Sequence, residues 1–409
     1  MTSDLTLFGA TGFVGRLVAR HLAAQAPPDL RVTLAGRSRE RLEQVRVEEG
    51  RPGWELLVAD SSDEASVREL ARSTRVVAST VGPYARHGMP LVEACAQEGT
   101  DYVDLTGELL FVRDAIDRAH ETAAATGARL VVSCGFDSVP SDLAVHLLHR
   151  AAQDDGAGAL TDTTLLVTRL RGGVSGGTVD SMREQLRVVR ADEQLAREAR
   201  DPYALAPDPA TEPRVPGQRD SMSVFVEQDI GVWTAPFLMA SYNTRLVRRS
   251  HALTRSERAP AGYGERFRYR ELMATGRGAR GRRRAELVRA GLGALWLGLS
   301  TPGLSWVVDR LLPAPGEGPS PQQQAEGHFQ MVARTTTEDG RRYAATVGAQ
   351  GDPGYAATSV MVGQAALSLA VDPDRCSPTG GVLTPAVAMG DVLAERLRAQ
   401  GFTVEVGPA

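Results

Sequence analysis

The chain has 409 residues, enough for two domains. Its 42% hydrophobic content can fill a core, and its formal net charge of -4 argues against a general nucleic-acid binder. Lysine is absent, so all 46 Lys+Arg residues are arginine; this excludes Schiff-base chemistry, a lysine general base and a P-loop lysine.

Leu5, Leu7 and Phe8 mark a first strand, followed by Gly9-Ala10-Thr11-Gly12-Phe13-Val14-Gly15 and a helical pattern through Leu17, Val18 and Leu22. Arg31 to Ala35 reads as the second strand. In this strand–turn–helix–strand order each glycine has a task. Gly9 turns the chain, Gly12 clears the approach of a pyrophosphate, and Gly15 lets the helix pack closely. The free N–H groups of the helix start then face the phosphates. The spacing is GxxGxxG rather than GxGxxG, and a purely structural glycine turn is the alternative. At the end of the second strand, Ala35-Gly36-Arg37-Ser38-Arg39 offers cations and a hydroxyl where an NAD site carries an acid. NADPH/NADP is therefore the expected cofactor, although arginines here could also be solvated surface groups.

Glu55 to Ala59 reads as a third strand ending at Asp60, a candidate acceptor for the adenine amino group; Asp63 is the better cap for the helix at Glu64 to Ala71. Arg75 to Thr80 is a fourth strand and delivers Gly82, Pro83 and Tyr84 to the sheet edge where ligands bind. Asp101 to Leu105 leads into Thr106-Gly107-Glu108, and Arg129 to Ser133 leads into a polar loop from Cys134 to Asp142, where Ser141 or Asp142 can cap the next helix. The expected cofactor set is Gly9, Thr11, Gly12, Phe13, Val14, Gly15, Arg37, Ser38, Asp60, Gly82, Pro83 and Tyr84. A tyrosine followed four residues later by lysine cannot occur in this chain. The candidates for the chemical step are Tyr84, Asp104, Asp137 and Ser138.

Residues 1–150 are thus expected to form a Rossmann-type, doubly wound parallel sheet of the α/β class. Residues 151–375 are expected to form an inserted α+β domain with a mainly antiparallel sheet for substrate and dimer contacts. Strand-like runs occur at Thr161 to Arg169, Met222 to Glu227, Phe267 to Glu271, Phe329 to Thr337 and Arg342 to Gly348, the last two joined by an Asp339-Gly340 turn. The proline-rich stretch 201–219 reads as a cover over the active site or as disorder. Residues 376–409 are expected to return as a helix packed on the first domain. Arg277, Arg280, Arg282, Arg283 and Arg284 precede the uncharged run 291–308, which reads as buried packing, a dimer contact, a greasy substrate tunnel or peripheral attachment to an anionic bilayer. Ser300 to Gly303 breaks that run, which disfavours a true span.

Cys95, Cys134 and Cys376 are spaced for neither a metal site nor a disulfide framework, and no metal is expected. Asp4 and the glycine turn arrive before a cleavable apolar segment could form, so a cytoplasmic location is expected.

The chain resembles the saccharopine dehydrogenase-like oxidoreductases, most closely the mycobacterial-type trans-acting enoyl reductases. The resemblance rests on residues 9–15, Ala35-Gly36-Arg37, Val81-Gly82-Pro83-Tyr84, residues 101–108, residues 135–142, residues 315–320 and residues 381–385. It implies a Rossmann domain with an inserted α+β domain, nicotinamide-dependent redox chemistry and an α,β-unsaturated thioester as substrate. Reduction of a carbonyl or imine in a small metabolite is a second possibility. A non-catalytic, lipid-associated NADPH-binding protein is a third.

Overall fold

Six strands and six helices alternate along the first third of the chain. They are β1 (Ser3–Phe8), α1 (Phe13–Gln25), β2 (Val32–Gly36), α2 (Arg39–Glu48), β3 (Glu55–Val58), α3 (Glu64–Ser73), β4 (Thr74–Ser79), α4 (Tyr84–His87), α5 (Met89–Glu98), β5 (Asp101–Val103), α6 (Leu109–Thr126) and β6 (Arg129–Val131). The computed structural model describes residues 3–172, 176–255, 261–301 and 318–409. Helix α7 (Val139–Asp154) leads to β7 (Leu160–Arg171), α8 (Gly176–Ala191), α9 (Glu193–Arg200), β8 (Phe225–Glu227), β9 (Val232–Pro236), α10 (Ala240–Thr254), β10 (Arg268–Gly276), α11 (Gly278–Ser300), α12 (Pro321–Glu326), β11 (His328–Thr337) and β12 (Arg342–Gln350). The chain ends with α13 (Thr358–Val371), β13 (Gly381–Leu383), α14 (Pro385–Ala388), α15 (Gly390–Ala399) and β14 (Thr403–Pro408).

The first sheet is parallel throughout, in the order β13-β6-β5-β4-β1-β2-β3. Its central strands are apolar on both faces because helices cover both. Val76 and Ala78 of β4 enter one hydrophobic cluster, while Val77 between them enters the other. The strand order reverses between β1 and β4, and in open α/β sheets such a switch leaves a crevice at the strand C-termini.

The second sheet runs β14-β12-β11-β7-β10-β9-β8, with only β7 and β10 parallel. Phe329, Met331, Ala333, Thr335 and Thr337 of β11 alternate inward. The first three join the hydrophobic cluster that holds Leu5 and Leu7, together with residues of α7 and α13. The two sheets therefore share one continuous core.

Several local expectations meet a different arrangement. The last segment returns to both sheets: β13 extends the parallel sheet beside β6, and β14 pairs with β12 at the edge of the second sheet. The stretch 201–219 is not a lid. Tyr203, Ala204 and Leu205 are buried, and arginines claim the carbonyls around them. Arg113 donates to Ala204 and Ala206, Arg248 to Pro202 and Gln218, and Arg249 to Leu205. Ser141 and Asp142 do not cap α7. Asp142 accepts from the Ala386 N–H and the Ser250 hydroxyl, and Ser141 accepts from Asn243. Helix α11 runs to Ser300, and residues 302–308 of the uncharged run lie outside the described residues. Among the described residues one helix, Pro353–Val371, is long and apolar enough to cross a membrane, and 78% of that window is buried inside the fold.

Candidate active site

The turn after β1 is shaped by backbone contacts that exclude side chains. Gly9 has φ +87°, and a Cβ there would stand 2.6 Å from the Thr80 hydroxyl oxygen. A Cβ on Gly15 would lie 2.0 Å from the Gly9 carbonyl oxygen, so α1 can rest on the turn only through a glycine. Gly12 precedes α1 and offers it no side-chain cap. The first N–H groups of the helix, on Phe13, Val14 and Gly15, have no intrahelical acceptor and open on a cavity that these residues line. This cradle fits a diphosphate.

Beyond it, Thr11 lies beside Gly36, with its hydroxyl oxygen 3.8 Å from where a Gly36 Cβ would be. Arg37 is exposed and makes no hydrogen bond or ion pair among the described residues, which suits it to the extra phosphate of NADP. The Ser38 hydroxyl accepts the Arg41 N–H at 3.3 Å as the cap of α2, and its proton remains available. Asp60 accepts the Ser62 N–H and hydroxyl at 3.0 and 2.8 Å, bonds that hold its pKa below the usual carboxylate range; the fields of Arg37 and His87 act in the same direction. Asp63 caps α3.

The cavity, of about 280 Å³, lies between α1 and the loops after β4, β5 and β6. Gly82, Pro83 and Tyr84 line one side, followed by Leu105, Thr106 and Gly107, then Gly135 and Asp137. The second domain closes it with Asp180, Ser181, Met182 and Gln185 of α8, with Met239, and with Tyr355 and Thr358. Most of this lining is apolar or glycine.

The four candidates for the chemical step are divided by the structure. Asp104 is fully buried and lies behind the cavity wall. It accepts from Ser133 N–H at 2.7 Å, Thr106 N–H at 3.0 Å and the Tyr102 hydroxyl at 3.0 Å, binding the ends of β5 and β6 together. Burial pushes its carboxyl up to about 7, but its oxygens are already engaged. Ser138 is also fully buried behind the wall and donates to Asn243 Oδ1 at 3.1 Å. Tyr84 lines the cavity with its ring, while its hydroxyl donates to the Ser79 carbonyl at 2.9 Å and so is not aimed at a substrate. Asp137 alone combines position with availability. It lines the cavity, has no hydrogen-bond partner among the described residues, and is pushed up to about 6 by desolvation.

Sequence reading assigned no role to Glu108, although it stands in the quoted run 101–108. Its buried carboxylate accepts the N–H groups of Tyr84 and Ala85 at 2.9 and 2.7 Å and the Ser181 hydroxyl at 2.7 Å. The available signal was an acid directly after Thr106-Gly107 at a helix start. The α8 residues, Met239 and Tyr355 carried no comparable local signal.

Residues 5–131 match the family model described as the saccharopine dehydrogenase NADP binding domain. A trans-acting enoyl reductase from Mycobacterium ulcerans is 43% identical, covering 98% of this chain and 97% of its own. A Mycobacterium tuberculosis protein provisionally named for the same activity is 47% identical over the same shares. In fold, the chain is similar to apo saccharopine dehydrogenase from Saccharomyces cerevisiae, with a TM-score of 0.57 at 13% identity and full coverage of both chains. The near full-length relatives establish that the chain, whose glycine cradle lies within the stretch matching the NADP-binding model, belongs to the trans-acting enoyl reductase family, on a saccharopine dehydrogenase-like fold.

Proposed function

We propose that this NADPH-dependent oxidoreductase reduces the α,β double bond of an enoyl thioester. One observation carries the reading: Asp137, a carboxyl without a hydrogen-bond partner among the described residues, sits in a mostly apolar cavity adjoining the dinucleotide cradle. Residues 9–15, Arg37 and Ser38 hold the cofactor, which when bound supplies the hydride. Met182, Met239 and Leu105 give an acyl chain an apolar surface and limit water around the double bond. The β-carbon gains the hydride and the α-carbon of the resulting enolate takes a proton, so one NADPH and one proton are consumed per double bond. Asp137 supplies that proton, and its raised pKa keeps a usable protonated fraction near neutrality. The test is NADPH oxidation with short and long enoyl thioesters, ketones and imines. Turnover confined to enoyl thioesters is expected. Turnover confined to ketones or imines replaces this reading with carbonyl or imine reduction, and no turnover across the panel leaves a binding protein.

The same reading places the enzyme in lipid or polyketide assembly, in the cytoplasm, as a homodimer that touches a membrane peripherally. Val332, Arg334 and Thr336 on the other side of β11 stay partly exposed in one chain, which favours pairing through the second sheet; a monomeric mass in light scattering rejects the dimer. On α11, Arg280, Arg283 and Arg284 are exposed, and Leu287, Trp296 and Leu297 are exposed further along. Flotation with anionic vesicles that is unaffected by Leu297→Glu rejects the membrane contact.

A further inference from the structure

Helix α8 walls the cavity, yet none of its described residues joins either hydrophobic cluster. Besides the buried Val179, polar ties set its place, and they lead to the cofactor cleft. At its start the Gly176 N–H donates to the Tyr355 hydroxyl at 3.1 Å, and the Tyr355 ring meets Phe13 edge-on with centroids 4.9 Å apart. One turn on, the Ser181 hydroxyl donates to Glu108 at 2.7 Å. A further turn on, buried Glu184 accepts from Arg86 of α4 at 2.5 Å and from Arg187 at 2.6 Å. Glu108 faces both ways. The oxygen that accepts from Ser181 also accepts the Tyr84 N–H, and the other accepts the Ala85 N–H. These amides start α4, directly after Gly82 and Pro83 on the cavity lining.

We propose that Glu108 is a positioning residue that couples the 82–85 loop of the cofactor cleft to the substrate wall, so that occupancy of the cleft sets the position of α8. A carboxylate suits this task because it can accept from the first turn of α4 and from a hydroxyl on another domain at once. A helix that stands outside both hydrophobic clusters and is held largely by polar ties also moves at low cost. The proposal rests on the NADPH-binding reading but not on the identity of the substrate.

Hydrogen exchange of the full-length protein, with and without saturating NADPH, tests it without any substrate. In the parent protein NADPH should slow exchange about fivefold or more, both at 82–88 and across 176–191. In Ser181→Ala the slowing at 82–88 should persist while that at 176–191 is lost, and Ser181→Thr, which keeps the hydroxyl, should restore it. A fluorescence titration confirms saturation in each protein. If α8 is slowed equally in Ser181→Ala, or exchanges faster by the same factor with and without NADPH, the tie is merely structural and the coupling is overturned. Binding of NADPH with no response in parental α8 overturns the coupling alone, whereas no binding of NADPH overturns the coupling and the cofactor reading together.

Discussion

The dinucleotide cradle and the wall that faces it are built by opposite means. Residues 9–15 work through backbone, with N–H groups at the head of α1 and glycines where a Cβ would strike a carbonyl. Across the cavity, Asp137 and α8 work through side chains, and α8 stands outside both apolar clusters. A backbone cradle tolerates almost no added atom but needs no particular functional group. A side-chain wall tolerates shape changes but depends on one charge or one hydroxyl. The two should therefore fail differently when altered.

The largest expected effect breaks the wall and spares the cradle. Asp137→Asn keeps the shape of the side chain and removes its acid, so kcat should fall about 100- to 10,000-fold, the range of a lost general acid. The dissociation constant for NADPH should not move. In the parent enzyme kcat/KM should decline as pH rises through about 6, because the acid must carry its proton, and this limb should vanish in the variant. Unchanged turnover in Asp137→Asn removes Asp137 from the chemistry. The converse change is Gly15→Ala. Its methyl group has no room beside the Gly9 carbonyl, and no side-chain movement relieves a backbone clash. NADPH affinity should drop about 100-fold, roughly 2.7 kcal/mol; calorimetry showing parental affinity would mean the turn is not the binding surface. A smaller effect sharpens the picture of the cradle. Arg37→Ala should weaken NADPH about tenfold and leave NADH nearly unchanged, since an exposed guanidinium meeting one phosphate is partly screened. Equal losses for the two cofactors would place the 2′-phosphate elsewhere.

This contrast also explains how much of the molecule was legible in its sequence. Gly9, Gly12 and Gly15 could be read because one short turn imposes a fixed spacing, and the alternation of strand and helix over 3–131 follows from apolar runs covered on both faces. Asp137 could be named because it follows a strand end, but the same rule also named Asp104 and Ser138. What separates the three is how many donors and acceptors surround them, and these come from β5, the loop after β6 and α10, up to about a hundred residues away. Tyr84 was placed correctly at the cavity, whereas the aim of its hydroxyl depends on the Ser79 carbonyl behind it. The wall was the least legible part, since Glu108, Ser181 and Tyr355 come from three distant segments with no shared local pattern. The 201–219 stretch read as a cover or as disorder because prolines mark irregular backbone; its anchoring depends on arginines of α6 and α10 that reach its carbonyls from outside.

The smallest effect asks whether the wall's acid is placed there at a cost to the fold. Asp137 titrates near 3.8 in an unfolded chain and near 6 in the folded protein, because the cavity withholds water from its charge. Between those values the folded protein holds a proton that the unfolded chain has lost, so stability declines as pH rises from about 4 to about 6 and stays reduced above that. Asp137 is partly accessible, so the cost at neutral pH is about 1–2 kcal/mol rather than the full value of its shift. Asp137→Asn should therefore be the more stable protein at pH 7.5 by that amount, a rise of about 2 °C in Tm for a chain of this length. The difference should close below pH 4, where the parent carboxyl is neutral in both states. A variant that is less stable at pH 7.5 would mean that the ionised carboxylate has favourable partners, and a carboxylate with such partners is a poor proton donor.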